Sequence, residues 1–93
     1  MHRQSSSVTM AKAVIRLEIN SPEAGIVGCM VEKVELPGVL GRFMVLRDHA
    51  PLITALTEGQ VRYVGEDGVE GSVPIKSGFV EINKNKVSVC VEL

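Results

Sequence analysis

Tryptophan is missing from this chain and other aromatics are scarce, with two Phe and one Tyr among 93 residues. Proteins that hold single strands of nucleic acid stack bases on aromatic platforms along a basic groove. Ten basic and eleven acidic residues, interspersed to a net charge of −1, supply neither platform nor groove, so nucleic acid is excluded as a partner. Anionic headgroups would likewise need a basic cluster. No apolar run approaches the ~18 residues that span a bilayer, so direct lipid insertion is not expected. Histidine is limited to His2, near the start, and His49. A lone imidazole without further ligands at suitable spacing makes no metal site. Beside Asp48 but without a nucleophile motif it makes no triad, so a structural role is expected of it. The glycines form neither G-x-G-x-x-G nor a phosphate loop. Cys29 and Cys90 lie far apart in sequence and read as free, small hydrophobes in a reducing compartment.

The acids Glu32, Glu35, Glu58, Glu66, Asp67, Glu70, Glu81 and Glu92 alternate with apolar residues or sit in turns. That is the pattern of solvated faces, not of paired catalytic acids. No catalytic residue, cofactor or metal is therefore expected.

What the chain does have is aliphatic: 45% of it is hydrophobic, mostly Val, Ile and Leu, with nine glycines and four prolines. β-Branched side chains and frequent turn residues favour an all-β domain. A chain of this size buries about 60–65% of its unfolded surface, enough for one thin core. Residues 1–12 are polar and serine-rich, with no apolar core that a secretory signal would need, and are expected to form a disordered tail. Met1 and Met10 are both possible starts. The domain is expected over residues 13–93.

Within it, Ile15, Leu17 and Ile19 alternate with Arg16, Glu18 and Asn20, a period of two that sets one face on a core. Ser21 to Gly25 reads as a turn. From Ile26 to Leu36 the parity breaks: Val27, Cys29 and Val31 share one face, Val34 and Leu36 the other. A bulge or corner near Glu32-Lys33 would repair it. Two alternating runs flank Gly65-Glu66-Asp67-Gly68, a hairpin signal, and Pro74 on the polar parity suits an edge strand. Val80 and Ile82, then Val87, Val89, Val91 and Leu93 past a turn at Lys84-Asn85, are expected to point inward. Eight or more short strands without a convincing helix predict a two-sheet antiparallel β-sandwich or flattened barrel.

Turn chemistry is densest between Leu36 and Leu56, LPGVLGRFMVLRDHAPLITAL. Leu36-Pro37-Gly38 reads as a turn, Arg42 to Leu46 as a short buried strand, and Arg47 to Pro51 as a second break. Leu52 to Leu56 reads as a strand or a single helical turn. This stretch resembles the signature of the epsilon subunit of rotary proton-translocating ATP synthases, which runs LPG, G, F, a VL pair and HAPL. Gly59, Ser77 to Ile82 and Asn85 to Val89 match the same family in order and spacing, so the resemblance covers Ile15 to about Val91. Met44 and Arg47-Asp48 depart from it, standing where glycine and Pro-Gly are common. Arg42 stands where a carboxylate is often found.

The resemblance implies a compact two-sheet sandwich acting as a non-catalytic central-stalk subunit. It would couple rotation of the membrane ring of c subunits to the gamma shaft during ATP synthesis. Its place would be peripheral, on the cytoplasmic face of an energy-transducing membrane such as the bacterial inner membrane. By position, Gly38, Val39, Leu40, Gly41 and Arg42 would meet the ring, and Ser21, His49 and Thr54 would lie toward gamma. The last residue is Leu93, so the family's C-terminal helical hairpin, and inhibition by its extended arm, are expected to be absent. The alternative is a biotinyl- or lipoyl-like carrier sandwich with Lys33 or Lys76 as the modified residue. That fold would fit, but the carrier needs its lysine at a hairpin tip within a fixed motif. Far-ultraviolet circular dichroism should show β-structure with almost no helix, and a helical signal beyond a turn or two would contradict the sandwich.

Overall fold

The computed structural model describes residues 14–93. The tail expected over 1–12 and the choice between Met1 and Met10 lie outside the described residues. Eight strands follow one another with no helix among the described residues: β1 (Ile15–Asn20), β2 (Gly25–Gly38), β3 (Gly41–Val45), β4 (Leu52–Leu56), β5 (Gly59–Gly65), β6 (Glu70–Ile75), β7 (Ser77–Asn83) and β8 (Lys86–Glu92). The run Leu52 to Leu56 is thus a strand and not a helical turn.

Strand β2 is long enough to serve two layers. Its first half pairs with β1, and that layer continues through β8 and β7 to β4. Its second half pairs with β3 on one side and β5 on the other, and β5 pairs with β6. The register shifts between Val31 and Lys33, so the bulge inferred from broken parity stands where β2 passes between layers. Beyond it Val34 and Leu36 turn inward and are fully buried, as Val31 is before it. A single bridge from Gly38 to Leu56 links β2 to β4 and brings the first layer back onto the strand where it began. The architecture is the expected sandwich, drawn toward a flattened barrel by that bridge.

All pairings are antiparallel except one, because β1 and β8 run parallel from Arg16↔Lys86 to Asn20↔Cys90. Between the layers lies one cluster of sixteen aliphatic residues, among them Ile15, Leu17, Val34, Val61, Val80 and Val89, with no buried polar side chain among the described residues. Each such side chain contributes about 1.5–3 kcal/mol on burial, so the core works without aromatic bulk.

The hairpin of β5 and β6 closes through Glu66-Asp67-Gly68 with Gly68 at φ 75°, and β6, carrying Pro74, is an edge strand. The β7–β8 turn sets Lys84 and Asn85 both in the left-handed region, at φ 51° and 61°, the geometry of a type I′ hairpin.

Three local expectations need correction. Leu36-Pro37-Gly38 is not a turn: it ends β2, with Pro37 opposite Arg42 and Gly38 opposite Gly41. The turn falls on Val39-Leu40, neither a habitual turn former, and Gly41 after them takes φ 130°. β3 is not buried, for only Val45 is enclosed while Gly41, Arg42 and Met44 are exposed. It flanks β2 at a layer edge, so one of its faces meets water. Leu93 is 57% exposed because β8 ends at Glu92 and the inward alternation stops there.

Gly78, opposite Val91, shows how closely β7 and β8 approach. A Cβ there would lie 2.3 Å from the Cys90 carbonyl oxygen, a backbone atom that cannot swing aside. Gly78→Ala should destabilise the domain by about 2–3 kcal/mol in chemical denaturation. A loss below about 0.5 kcal/mol would mean that this strand pair is looser than described.

Candidate functional site

Glycine, proline and a ring contact make the β2–β3 hairpin stiff at its base. Pro37 and Gly38 are buried, and a Cβ on Gly38 would meet the Gly41 carbonyl at 2.8 Å and the Phe43 ring at 2.9 Å. Two backbone bonds tie this base to the end of β4, Val39 N–H to Ala55 O at 3.1 Å and Thr57 N–H to Pro37 O at 2.9 Å. Above it Val39 and Leu40 project, Leu40 97% exposed. Two apolar side chains held out on an anchored two-residue tip are costly to leave in water and suited to docking.

Arg42 stands next to this tip but is turned from it. Its guanidinium lies 3.2 Å from the Glu35 carboxylate and donates to the Gln60 carbonyl at 3.1 Å, with Arg62 3.9 Å from the same carboxylate. An exposed pair of this kind contributes at most about 1 kcal/mol. Its larger effect is to hold the cation along β3 and β5, so that the tip itself is apolar.

On the outer face of the first layer, Ala55, Phe79 and Cys90 stand opposite one another across β4, β7 and β8. Ile53 extends the patch at 73% exposure and Phe79 is 56% exposed. With Ser21 and Pro22 on its rim, part of this face forms an open cleft of about 620 Å³. Farther along the same face the character changes to charge, with Arg16 3.5 Å and Lys86 3.8 Å from Glu18.

The residues expected to lie toward gamma do not form one cluster. Ser21, whose hydroxyl donates to Ala24 O at 3.3 Å, borders the apolar face at the end of the sandwich that also carries the Val39-Leu40 tip. Thr54 points inward, half-buried, and borders a smaller opening of about 290 Å³ between β3 and β4 with Leu52, Phe43 and the tip residues Gly38, Leu40, Gly41 and Arg42. His49 is at the other end of β4, in the loop that meets Asn85 after β7. Its Nδ1 lies 2.7 Å from the Ala50 carbonyl. A carbonyl only accepts, so Nδ1 carries the hydrogen in that bond and a neutral ring leaves Nε2 as an acceptor facing outward from it. Asp48, before it, has φ 63°, which accounts for the glycine usual at this position in the resembling family. Among the described residues, no group of three or more His, Cys, Asp or Glu could hold a metal ion, and both cysteines are free.

The apolar face of Phe79 and Ile53 was missed in the sequence. Its signal was there: Phe79 shares the polar parity of Glu81, and a large aromatic on that parity marks an outward apolar residue.

Residues 14–93 match the family described as "ATP synthase, Delta/Epsilon chain, beta-sandwich domain". The chain belongs to this family. ATP synthase epsilon chains of Lawsonia intracellularis and Campylobacter fetus are each 42% identical to it over 78 residues, 84% of this chain. That of Carboxydothermus hydrogenoformans is 41% identical over 75 residues. The chain spans only 58%, 60% and 55% of the lengths of these three relatives, respectively. Among solved structures, a chain of the Euglena gracilis mitochondrial ATP synthase, in a structure of its OSCP/F1/c-ring, superposes with a TM-score of 0.79 at 22% identity. It is covered over 51% of its length and this chain over 85%. A chain in the central stalk/c-ring structure of the Tetrahymena thermophila enzyme gives 0.74 at 11% identity. At those identities the likeness is one of fold.

Within this Delta/Epsilon-type domain the Arg42–Glu35–Arg62 group is expected to be a minor contributor to stability. Arg42→Ala should cost no more than about 1 kcal/mol in thermal or chemical unfolding, and a loss above about 2 kcal/mol would assign it a structural part beyond an exposed pair.

Proposed function

We propose that this domain is the sandwich of a central-stalk subunit of a proton-translocating ATP synthase, without catalytic chemistry of its own. It couples rotation of the membrane ring of c subunits to the gamma shaft during ATP synthesis. The observation that carries the reading is the family match across the whole of residues 14–93. The Euglena and Tetrahymena structures, which contain the c-ring and in the second case the central stalk, support it through fold. The domain then acts peripherally at the energy-transducing membrane, on its cytoplasmic face.

Physically the task is to transmit torque by contact. It asks for a rigid body with two apolar docking surfaces set at an angle, and the geometry is consistent with that. The Val39-Leu40 tip, stiffened at Pro37 and Gly38, suits the ring loops. The face of Ile53, Ala55, Phe79 and Cys90, rimmed by Ser21, suits gamma; His49, in the loop before β4, would add a second contact at the far end, while Thr54, on the inward side of β4, would reach gamma only from beside the tip. Arg42 plays a lesser part at the ring because its guanidinium is engaged by Glu35 and Gln60. The carrier alternative is not favoured, for Lys33 lies within β2 and Lys76 at the bend between β6 and β7, and neither is at a hairpin tip.

Two substitutions separate the faces. Phe79→Asp should weaken binding to gamma by at least about tenfold, as loss of an interface anchor does. Leu40→Asp should leave gamma binding intact and lower proton pumping when added to an epsilon-depleted synthase in vesicles. Both sites are exposed, so unfolding midpoints should move by no more than the equivalent of about 0.5 kcal/mol. Wild-type binding by Phe79→Asp together with normal pumping by Leu40→Asp would overturn the assignment of these faces.

A further inference from the structure

The loop that carries His49 is fastened to the far turn of the sandwich by a reciprocal pair of side-chain bonds. The Asp48 backbone N–H donates to Asn85 Oδ1 at 2.7 Å, and Asn85 Nδ2 donates to Asp48 Oδ1 at 3.0 Å. Asn85 is held in its turn: its carbonyl accepts from the Arg16 N–H at 2.8 Å, linking the same residue to β1. Both partners adopt left-handed backbone, Asp48 at φ 63° and Asn85 at φ 61°. Asn and Asp are the side chains that tolerate this region best, yet glycine would take it with no steric cost. For folding alone, then, glycine would serve at either position. A carboxylate at one and an amide at the other, bonded to each other's residue, do something a pair of glycines could not.

What they do is fix the Arg47–Ala50 loop relative to β1, β7 and β8. The loop has little else: the His49 N–H donates to Leu46 O at 3.2 Å, and the His49 ring bonds the carbonyl of its own neighbour Ala50. Both bonds lie within the loop and neither anchors it to the sandwich. Each side-chain bond to Asn85, by contrast, crosses from the β3–β4 loop to the β7–β8 turn.

We infer that the Asp48–Asn85 clasp is a positioning device that presents His49 to the gamma shaft, with Asn85 a specificity-supporting residue although it makes no contact itself. The inference rests on the docking reading above. Fixing the loop before contact removes ordering cost from the binding step, so the clasp contributes to affinity and not chiefly to folding.

The decisive variants keep the backbone and remove the bonds. Asn85→Gly retains the left-handed turn and the carbonyl that holds Arg16 but deletes both side-chain bonds. It should bind gamma about three- to tenfold more weakly, the scale of one or two hydrogen bonds. Its unfolding midpoint should stay near wild type, and amide exchange at His49 should quicken. Asp48→Asn keeps an Oδ1 acceptor and should bind within about twofold of wild type. In a His49→Ala background the effect of Asn85→Gly should vanish, because the device acts through His49. If Asn85→Gly binds like wild type while His49→Ala binds weakly, the clasp inference falls and the docking reading stands. If Asn85→Gly weakens binding equally with and without His49, the inference falls again. No measurable binding of the unaltered chain to gamma would overturn the docking reading itself, and the clasp's role with it.

Discussion

Strand β2 belongs to both layers of the sandwich, and the extra residue between Val31 and Lys33 is what permits this. Without the bulge the alternation would carry Val34 and Leu36 to the solvent side, since one residue of slip reverses every side chain beyond it. With it, the strand can hold β1 along one half and β3 and β5 along the other while Val31, Val34 and Leu36 all keep to the interior. The hairpin tip at Val39-Leu40 grows from the end of this strand. Its direction is therefore set by the same residue that sets the core, and a shift of register in β2 would disturb packing and docking tip together.

This dependence was largely legible in the sequence. The parity break between Val31 and Val34 is a direct trace of the bulge, and Asp67-Gly68 between two alternating runs is a direct trace of the β5–β6 hairpin. The inward sets Ile15–Leu17–Ile19 and Val87–Val89–Val91 followed from period two alone. Less legible was whatever depends on partners distant in sequence. Pro37-Gly38 looks like a turn by local chemistry, but strand pairing with Arg42 and Gly41 overrides it and moves the turn to Val39-Leu40. The exposure of β3 could not be read either, because apolar composition does not say which strand lies at an edge.

The candidate site divides along the same line. The tip residues Gly38 to Arg42 fall together because they are contiguous, and any correct hairpin would unite them. Ser21, Thr54 and His49 come from three separate segments, and their separation is set by where β4 begins and ends relative to β7. The turning back of Arg42 onto Glu35 depends on β2 and β3 being neighbours, which the position of Arg42 in the sequence does not reveal. Cross-layer geometry, not residue type, is what the sequence left unstated here.

The parallel union of β1 with β8 gives the domain a mechanical character. The start of β1 lies beside the start of β8, and their ends also coincide, from Arg16↔Lys86 to Asn20↔Cys90. A pull directed outward from Ile15 at one end and Glu92 at the other would run along both strands in opposite senses. The register pairs between them would be loaded in shear and would yield together, whereas strands peeled from a hairpin end give way one rung at a time. Because β8 is flanked by β7 and β1 by β2, the clamp sits in the middle of its layer, and a force reaching the domain through its terminal strands is spread across the whole sheet.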